Sequence, residues 1–494
     1  MKKELAIILS VCTAVYGLTG CAESASAPAP AAGTSVPATS SAVTESETTT
    51  SAAVEETTAD SETTVSETTV TEEEVSDEQE YIINSNRADT EDYKLTKVVV
   101  LSRHNIRAPL SSNGSVNEIA TPHEWFNWTS NSSELSLRGG VLETEMGQYF
   151  RKWLEAEELI PENWMPEDGE LRIYANSKQR TLATAHYFSS GFLPAADVTI
   201  EHHGEFGNMD DTFNPVIHFY SEAYAYAVAE QFEKYGGAEI AADISENVAM
   251  LCDLIDYKDS EGYKTGELTD LVLNDTELII EPGKEPTVSG SLKTACTLSD
   301  AFVLQYYEEP DSKKAAFGND MTQEMWQRTA DITTKFNLVR HGLPLVAINL
   351  ANPMIREIRG EFTNANRKFS FLCGHDCTVN SVLISMGVED YELPYTLEKR
   401  TPIGVKLVFE KWEDKDGNEF ASVELIYQST DQLRNVTMLD LETPPAIYSL
   451  SFEGLEKNAD GLYSYDDIIG RLDMAIADYD DLAVKYADAL DDAA

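Results

Sequence analysis

A mostly apolar run that ends in charged side chains is the feature that most constrains how this chain can fold. Residues 95–101 include three consecutive valines, a pattern typical of a strand buried on both faces of a parallel sheet. Arg103, His104 and Arg107 follow at its carboxyl end, where open α/β sheets bind their ligands. Two guanidinium groups are costly to desolvate without a partner. The sequence therefore predicts an α/β fold with an anion site at this edge of the sheet.

The residue types in this segment suit a phosphoryl group. Its negative charge lies on three peripheral oxygens, so catalysis needs positive donors held around them. The planar fork of an arginine contacts two such oxygens at once. A neutral imidazole between two arginines can attack phosphorus and become a phosphohistidine. A surface turn without a role is the alternative, and the preceding strand makes it the weaker interpretation.

A second histidine motif follows another strand-like run. Residues 369–373 read Phe-Ser-Phe-Leu-Cys, and Gly374, His375 and Asp376 come next. An acid beside this histidine supplies the proton that a leaving alcohol needs. The carboxyl group must be protonated as the ester arrives, and we expect an anion-rich, partly desolvated pocket to raise the pKa of Asp376. Taken alone, the same residues are equally compatible with an ordinary His-Asp turn.

Together the two motifs resemble the signature of one family. RHGxRxP near the start and HD near the end mark the histidine phosphatases of the acid phosphatase and phytase branch. This chain has RHNIRAP at 103–109 and HD at 375–376. A third segment, 171–181, is also similar, and in it Arg180 matches a phosphate-binding arginine of the family. The resemblance extends from about residue 95 to residue 445 and is weakest in its middle third.

The resemblance implies a phosphomonoester hydrolase of sugar phosphates, inositol phosphates or similar small esters, with no metal and no other cofactor. It implies that His104 is the nucleophile and Asp376 the general acid, with a working pH on the acid side. The phosphate-binding residues that it implies are Arg103, Arg107, Arg180 and His375. Asn105 stands where the family usually has glycine. We expect its side chain to lie near the pocket and to affect the range of substrates more than activity.

The order of predicted elements is typical of an α/β protein. We predict a central mainly parallel sheet with flanking helices, which the resemblance identifies as a phosphoglycerate-mutase-like core, plus an inserted α-helical lobe. Helical patterns dominate from about 201 to 339, which we assign to the lobe. Residues 81–200 and 340–494 would form the catalytic core.

Another Arg-His-Gly sequence, at 340–342, is closer to the letters of the family signature than the first motif. A helical pattern precedes it, so this trio ends a helix rather than a strand. Pro344 occupies the place of the second arginine. We therefore interpret Arg340 and His341 as cations that stabilise a helix C-terminus, and not as a phosphate site.

The first eighty residues predict export. Two lysines precede an apolar stretch, and Leu-Thr-Gly-Cys follows at 18–21, so residues 1–20 resemble a lipoprotein signal peptide with Cys21 as the lipidated residue. Residues 21–80 are rich in Ser, Thr, Ala and Glu and contain no Lys or Arg, as in a disordered stalk. We expect a bacterial lipoprotein held on the outer side of the cell membrane by the lipid on Cys21. An ordinary cleaved signal is the alternative.

The charge of the remaining chain restricts its partners. From residue 81 onward there are 34 Lys and Arg against 71 Asp and Glu, a net charge of −37. This argues against nucleic acid, whose binding depends on neutralising phosphates with positive charge. The same field repels a polyanion such as phytate, so we expect small monophosphates to be preferred at low ionic strength. The oligomeric state stays open.

The cysteines allow two further interpretations. Cys252 and Cys296 could join two helices of the lobe by a disulfide, which an exported protein permits. Cys373 and Cys377 flank His375, and a metal site could use all three. Their spacing lacks the paired CxxC pattern of zinc sites, so buried or free thiols are the preferred interpretation.

Two alternatives from other functional classes are also open. The histidines at 202–203 and the aspartates at 210–211 could bind a metal, although a solvated loop is the preferred interpretation. A phosphate- or sugar-phosphate-binding lipoprotein that feeds a transporter would suit the predicted anchor, stalk and two-lobed body equally well. His104 with Asp376 separates the two, because a receptor needs anion donors but neither a nucleophile nor an acid.

Overall fold

The two strands that carry the histidine motifs lie side by side in one eight-stranded sheet. The computed structural model describes residues 87–110, 116–274 and 276–487. The predicted signal peptide, Cys21 and the stalk at 21–80 lie outside these residues and stay predictions. Within the described ranges, no helix is both long and apolar enough to cross a membrane.

The strands of the described residues form two sheets. In chain order they are β1 (Tyr93–Arg103), β2 (Leu171–Ala175), β3 (Ile200–Glu201), β4 (Leu278–Ile279), β5 (Thr287–Val288), β6 (Phe369–Gly374), β7 (Lys406–Asp414), β8 (Glu419–Tyr427), β9 (Ala446–Ser449) and β10 (Tyr463–Ser464). The central order is β10-β8-β7-β1-β6-β2-β3, with β9 on β8, and β4 pairs separately with β5. β1, β6, β2 and β3 are parallel, whereas the ladders on the other side of β1 are antiparallel.

β1 is buried on both faces, as its valines predict. Val98 and Val100 belong to the apolar core on one face of the sheet, and Val99 belongs to the core on the other. The parallel register with β6 pairs Arg103 with Gly374. The last residues of both strands therefore reach the same edge of the sheet, together with the motifs that follow them.

Helices cover both faces of this sheet. In chain order they are α1 (Val116–Ile119), α2 (Leu137–Ala156), α3 (Gln179–Phe192), α4 (Glu222–Lys234), α5 (Gly237–Asp243), α6 (Ser245–Leu254), α7 (Glu261–Thr265), α8 (Ser291–Glu308), α9 (Ser312–Ala315), α10 (Gln323–His341), α11 (Pro344–Thr363), α12 (Asp376–Ser385), α13 (Thr430–Asn435) and α14 (Tyr465–Ala487), with a 3₁₀ turn at Tyr257–Asp259. α2 and α3 pack on the face of Val98 and Val100. α11, α12 and α14 pack on the opposite face. The predicted mixed α/β class with a mainly parallel centre is confirmed.

The helices between β3 and α11 pack around a third apolar cluster, to which Leu292, Phe302 and Trp326 belong together with core residues such as Ile106 and Ile403. The two longest of these helices, α8 and α10, pack against each other. This arrangement agrees with the predicted helical lobe, while the limits 201 and 339 stay predictions. The predicted helix end at His341 is observed.

A tight hairpin and a docked last helix complete the core. The hairpin at Asp416 connects β7 to β8, and Gly417 adopts a φ of +83° there, a conformation that favours glycine. α14 docks on the core through its buried Leu472. The described cysteines are all free, so the disulfide considered for the lobe is not formed: Cys252, Cys296, Cys373 and Cys377.

Candidate active site

The carboxyl ends of β1, β6 and β2 bring the two histidine motifs together. The backbone N–H of His104 donates to the carbonyl of Gly374 at 3.1 Å. The rings of His104 and His375 lie 5.4 Å apart between centroids and nearly perpendicular. β2 is parallel to the other side of β6, so the start of α3, with Arg180, reaches the same place. Residues separated by some 270 positions in sequence therefore share one pocket.

His104 is held as a neutral imidazole. It is 5% exposed, and its Nδ1 donates a hydrogen bond of 2.9 Å to the carbonyl of Asn105. Burial lowers its pKa well below the usual range, and the positive charges of Arg180, Arg107 and Arg103 lower it further. With the proton on Nδ1, the lone pair lies on Nε2. This is the protonation state that a nucleophilic histidine requires.

Three guanidinium groups surround this imidazole. Arg107 forms a two-pronged ion pair with Asp300 of α8, with both N–O distances at 3.1 Å. Arg103 donates to the Thr401 carbonyl, and its Nη2 lies 3.9 Å from Asp376 Oδ2. Burial and the charge of Arg107 lower the pKa of Arg180 to about 10. Positive charge is in excess here, which favours binding of an anion.

His375 adds another donor to this cluster. The backbone N–H of Asp210 donates to Asn176 Oδ1 at 2.9 Å, which orients the Asn176 amide so that its Nδ2 donates to His375 Nε2 at 2.7 Å. A neutral His375 then carries its proton on Nδ1. Arg180 Nη2 lies 3.3 Å from that atom. Two donors therefore converge, and one phosphate oxygen between them can accept from both.

Asp376 opens α12 and has both carboxyl oxygens engaged. Oδ1 accepts from the backbone N–H of Cys377 at 3.0 Å, and Oδ2 accepts from Asn337 Nδ2 of α10 at 3.1 Å. Burial raises its pKa, but the neighbouring groups, of which the charged Arg103 has the largest effect, lower it more, so the net shift is downward. The raised pKa that we expect as the ester arrives stays a prediction. The neighbouring arginines outweigh desolvation until an anion neutralises them.

The expectation that the Asn105 side chain lies near the pocket is wrong. Its side chain turns away from the pocket and donates to Glu143 Oε2 at 2.9 Å. Glu143 in turn forms an ion pair of 2.9 Å with Lys406, and both side chains are fully buried. The Asn105 Oδ1 accepts from the backbone N–H of Ile106. Asn105 therefore supports the turn behind His104, and its φ is not in the left-handed region.

Two further side-chain predictions can be compared with the structure. Arg340 lies at the end of α10 as predicted and donates to the Pro286 carbonyl. His341 is 1% exposed, and burial with the charge of Arg340 lowers its pKa to about 3. It is therefore neutral and not the cation expected at this helix end. Asp210 is not solvated but buried, where it accepts from Tyr174 Oη at 2.8 Å.

A cavity of about 380 Å³ adjoins the pocket. It lies between the lobe helices α8 and α10 and the core loop 390–403, and Arg103, Asp376, Asp300 and Asn337 contribute to its wall. The sequence analysis did not identify Asp300 or Asn337. Asp300 is an acidic residue within a stretch of α8 that is otherwise buried, and this is the one signal that could have drawn attention to it.

Comparisons with known proteins agree with this geometry. Residues 94–428 match the family model "Histidine phosphatase superfamily (branch 2)". A glucose-1-phosphatase from Providencia rettgeri is 36% identical over 383 residues, which cover 76% of this chain and 90% of that protein. Phytase AppA from Escherichia coli is 26% identical over 397 residues, with the same coverage.

Solved structures show the same fold. The phytase from Citrobacter braakii superposes with a TM-score of 0.70 at 25% identity and covers 78% of this chain and 98% of the phytase. The apo form of the Hafnia alvei phytase has a TM-score of 0.71 at 24% identity, with the same coverage. The chain therefore belongs to branch 2 of the histidine phosphatase superfamily and is a histidine acid phosphatase, a hydrolase of phosphate monoesters.

Proposed function

We propose that His104 attacks the phosphorus of a small phosphate ester and that Asp376 protonates the leaving alcohol. The observation that carries this proposal is the neutral, buried His104 with its Nε2 lone pair among three guanidinium groups. Arg103, Arg107, Arg180 and His375 would hold the three peripheral oxygens, with Arg107 exchanging Asp300 for phosphate.

The reaction then has two balanced steps. In the first, the bond from phosphorus to His104 Nε2 forms while the bond to the alcohol oxygen breaks, and that oxygen takes the proton of Asp376. In the second, the Asp376 carboxylate removes a proton from water as the water oxygen attacks the phosphohistidine, which releases phosphate and regenerates His104. An ester monoanion supplies the proton that the free pocket does not keep on Asp376. Because the second pKa of a phosphate ester is about 6, kcat/KM should fall above this pH.

We propose sugar monophosphates as the preferred substrates. The curated relatives at 36% identity are named glucose-1-phosphatase, and the phytase is 26% identical. The net charge of −37 beyond residue 80 disfavours highly phosphorylated inositols at low ionic strength. Turnover of glucose 1-phosphate and phytate at about 20 mM and 200 mM salt tests this, since the Debye length shortens roughly threefold over this range. Phytate turnover should rise with salt and should be slower than turnover of glucose 1-phosphate at low salt. If neither result is observed, the argument from the net charge is wrong.

The phosphohistidine is tested by trapping it. Rapid acid-free quenching during turnover of a ³²P-labelled ester should leave one base-stable, acid-labile label on the wild-type chain and none on His104→Ala. Turnover of p-nitrophenyl phosphate with chelator present should be lost in the same variant. Phosphate binding without turnover by the wild-type chain would instead support the receptor alternative, which the Asp376 carboxyl at the pocket does not favour.

We propose export with a lipid anchor on Cys21, on the basis of residues 1–21. A metabolically supplied fatty acid label should enter the full-length chain in a bacterial host. The Cys21→Ala variant should not be labelled. Equal labelling of both chains would contradict the anchor.

A further inference from the structure

A residue of the helical lobe holds the carboxyl group that the proposed function uses as the acid. Asn337 of α10 donates from Nδ2 to Asp376 Oδ2 at 3.1 Å, across a separation of 39 residues. The other oxygen of Asp376 accepts from the backbone N–H of Cys377 at 3.0 Å. One oxygen is therefore fixed by the core helix and the other by the lobe.

We propose that Asn337 is a positioning residue for Asp376, an inference that rests on the proposed role of Asp376 as general acid. A carboxylic acid protonates a leaving oxygen only when its O–H points at that oxygen within hydrogen-bond reach. The Asn337 amide occupies one lone pair of Oδ2 and thereby restricts rotation of the carboxyl group. It leaves the remaining direction of Oδ2 for the proton that is transferred.

The chemistry of the amide suits this role. Cations already lower the pKa of Asp376, and a lysine or arginine at position 337 would lower it further. Asparagine donates a hydrogen bond without a net charge. It can therefore orient the carboxyl group of Asp376 while lowering its pKa less than a cation would. The titratable groups that face Asp376 are Arg103, Arg107, Arg180, His375, His341, Cys377 and Cys296.

Asn337 lies beside both Asp376 and the cavity in which we expect the leaving group to bind. Its neighbours Phe336 and Val339 form the buried face of α10, whereas Asn337 is half-buried and lines the cavity of about 380 Å³ beside Asp376. Packing of the helix does not require the amide. A group in this cavity would contact Asn337 and the acid together, so the lobe contributes to protonation as well as to the pocket wall.

The test compares esters with different leaving groups. Glycerol 2-phosphate has a poor alkyl leaving group that needs the acid, and p-nitrophenyl phosphate has a good one that does not. Asn337→Ala should lower kcat on the alkyl ester by about tenfold while changing kcat on the aryl ester by less than about threefold, with KM nearly unchanged. Gln327→Ala is the matched control, because Gln327 donates from the same helix to the Leu397 carbonyl at 2.6 Å and does not contact Asp376.

A second variant keeps the size of the side chain. Asn337→Asp places a carboxylate beside Asp376, and two carboxylates at this distance share a proton. The alkaline limb of the kcat profile on the alkyl ester, which reports the enzyme–substrate complex rather than the free ester, should move upward by about one unit. Equal losses on both esters in Asn337→Ala, or unshifted limbs in Asn337→Asp, would overturn the proposal. A wild-type enzyme inert toward both esters would overturn the proposed function itself, so the two failures are distinguishable.

Discussion

Two buried charge clusters on the same sheet resolve opposite excesses of charge in different ways. The candidate active site contains three guanidinium groups, Arg103, Arg107 and Arg180, with two histidines. The second cluster, which we call the acid pair, consists of Glu410 on β7 and Glu424 on β8, both 1% exposed, with Arg87 at 3.9 and 3.4 Å. Burial and the charge of Glu424 raise the pKa of Glu410 to about 8.

The difference follows from the chemistry of the groups. A carboxylate in excess binds a proton and becomes neutral, so the acid pair needs no external partner. Arginine does not lose its proton under ordinary conditions. The pocket can therefore relieve its excess only through an anion, and Asp300 supplies one of the few carboxylates available. An excess of guanidinium groups marks a binding site, whereas an excess of carboxylates can be purely structural.

The largest expected effect concerns the acid in the pocket. Asp376→Asn keeps the shape but cannot donate the proton, so kcat on glycerol 2-phosphate should fall by about a thousandfold. Turnover of p-nitrophenyl phosphate should fall far less, because its leaving group needs little protonation. Steady-state kinetics on both esters measure the contrast. A similar loss on both would mean that Asp376 serves binding or structure alone.

The acid pair should instead affect stability. Because the folded pKa of Glu410 is raised above its ordinary 4.5, the stabilisation from its bound proton is complete below about pH 4.5 and is lost as the pH rises to about 8. Glu410→Gln removes this loss, so its free energy of unfolding should exceed that of the wild type by about 4 kcal/mol at pH 8 and match it at pH 4.5. Urea denaturation at both pH values checks this, with kcat unchanged. An equal pH dependence of the free energy of unfolding in the wild type and in Glu410→Gln would contradict a proton bound by the acid pair.

The ion pair between Arg107 and Asp300 links the pocket to the lobe. Arg107→Ala should raise KM and the inhibition constant of phosphate by about thirtyfold, since a two-pronged charged contact contributes about 2 kcal/mol. Asp300→Asn should tighten phosphate binding severalfold, because the carboxylate that occupies Arg107 is removed. Phosphate inhibition of aryl ester hydrolysis measures both. Weaker phosphate inhibition in Arg107→Ala together with stronger phosphate inhibition in Asp300→Asn would support competition between the Asp300 carboxylate and phosphate for Arg107.

The smallest effect is expected behind His104, the proposed nucleophile. Asn105→Gly removes the hydrogen bond to the buried Glu143 and should lower the free energy of unfolding by about 1 kcal/mol. The ratio of kcat/KM for glucose 1-phosphate and phytate should not change, because the side chain does not reach the pocket. A changed ratio would show that Asn105 selects substrates after all.

The sequence was sufficient to place those elements and residues that a local pattern marks along the chain. Three consecutive valines placed β1, and the motifs after β1 and β6 located His104 and Asp376 at strand ends. Asn105 was misjudged because no local pattern shows whether a side chain at a strand end turns toward the pocket or toward a buried ion pair on α2 and β7. The downward pKa shift of Asp376 in the free pocket could not be predicted for the same reason, since it depends on how closely the arginines approach.

The sequence by itself determined the α/β class, the two strand ends and the residue types that suit phosphoryl chemistry, because apolar runs, helical periodicity and the residues that follow a strand are local along the chain. Only the tertiary structure decided that Asp300 holds Arg107 and that Asn337 holds Asp376. Both come from lobe helices whose sequence pattern reports burial alone. Electrostatic interactions and hydrogen bonds depend on distances between side chains, and those distances are set when the lobe packs on the sheet.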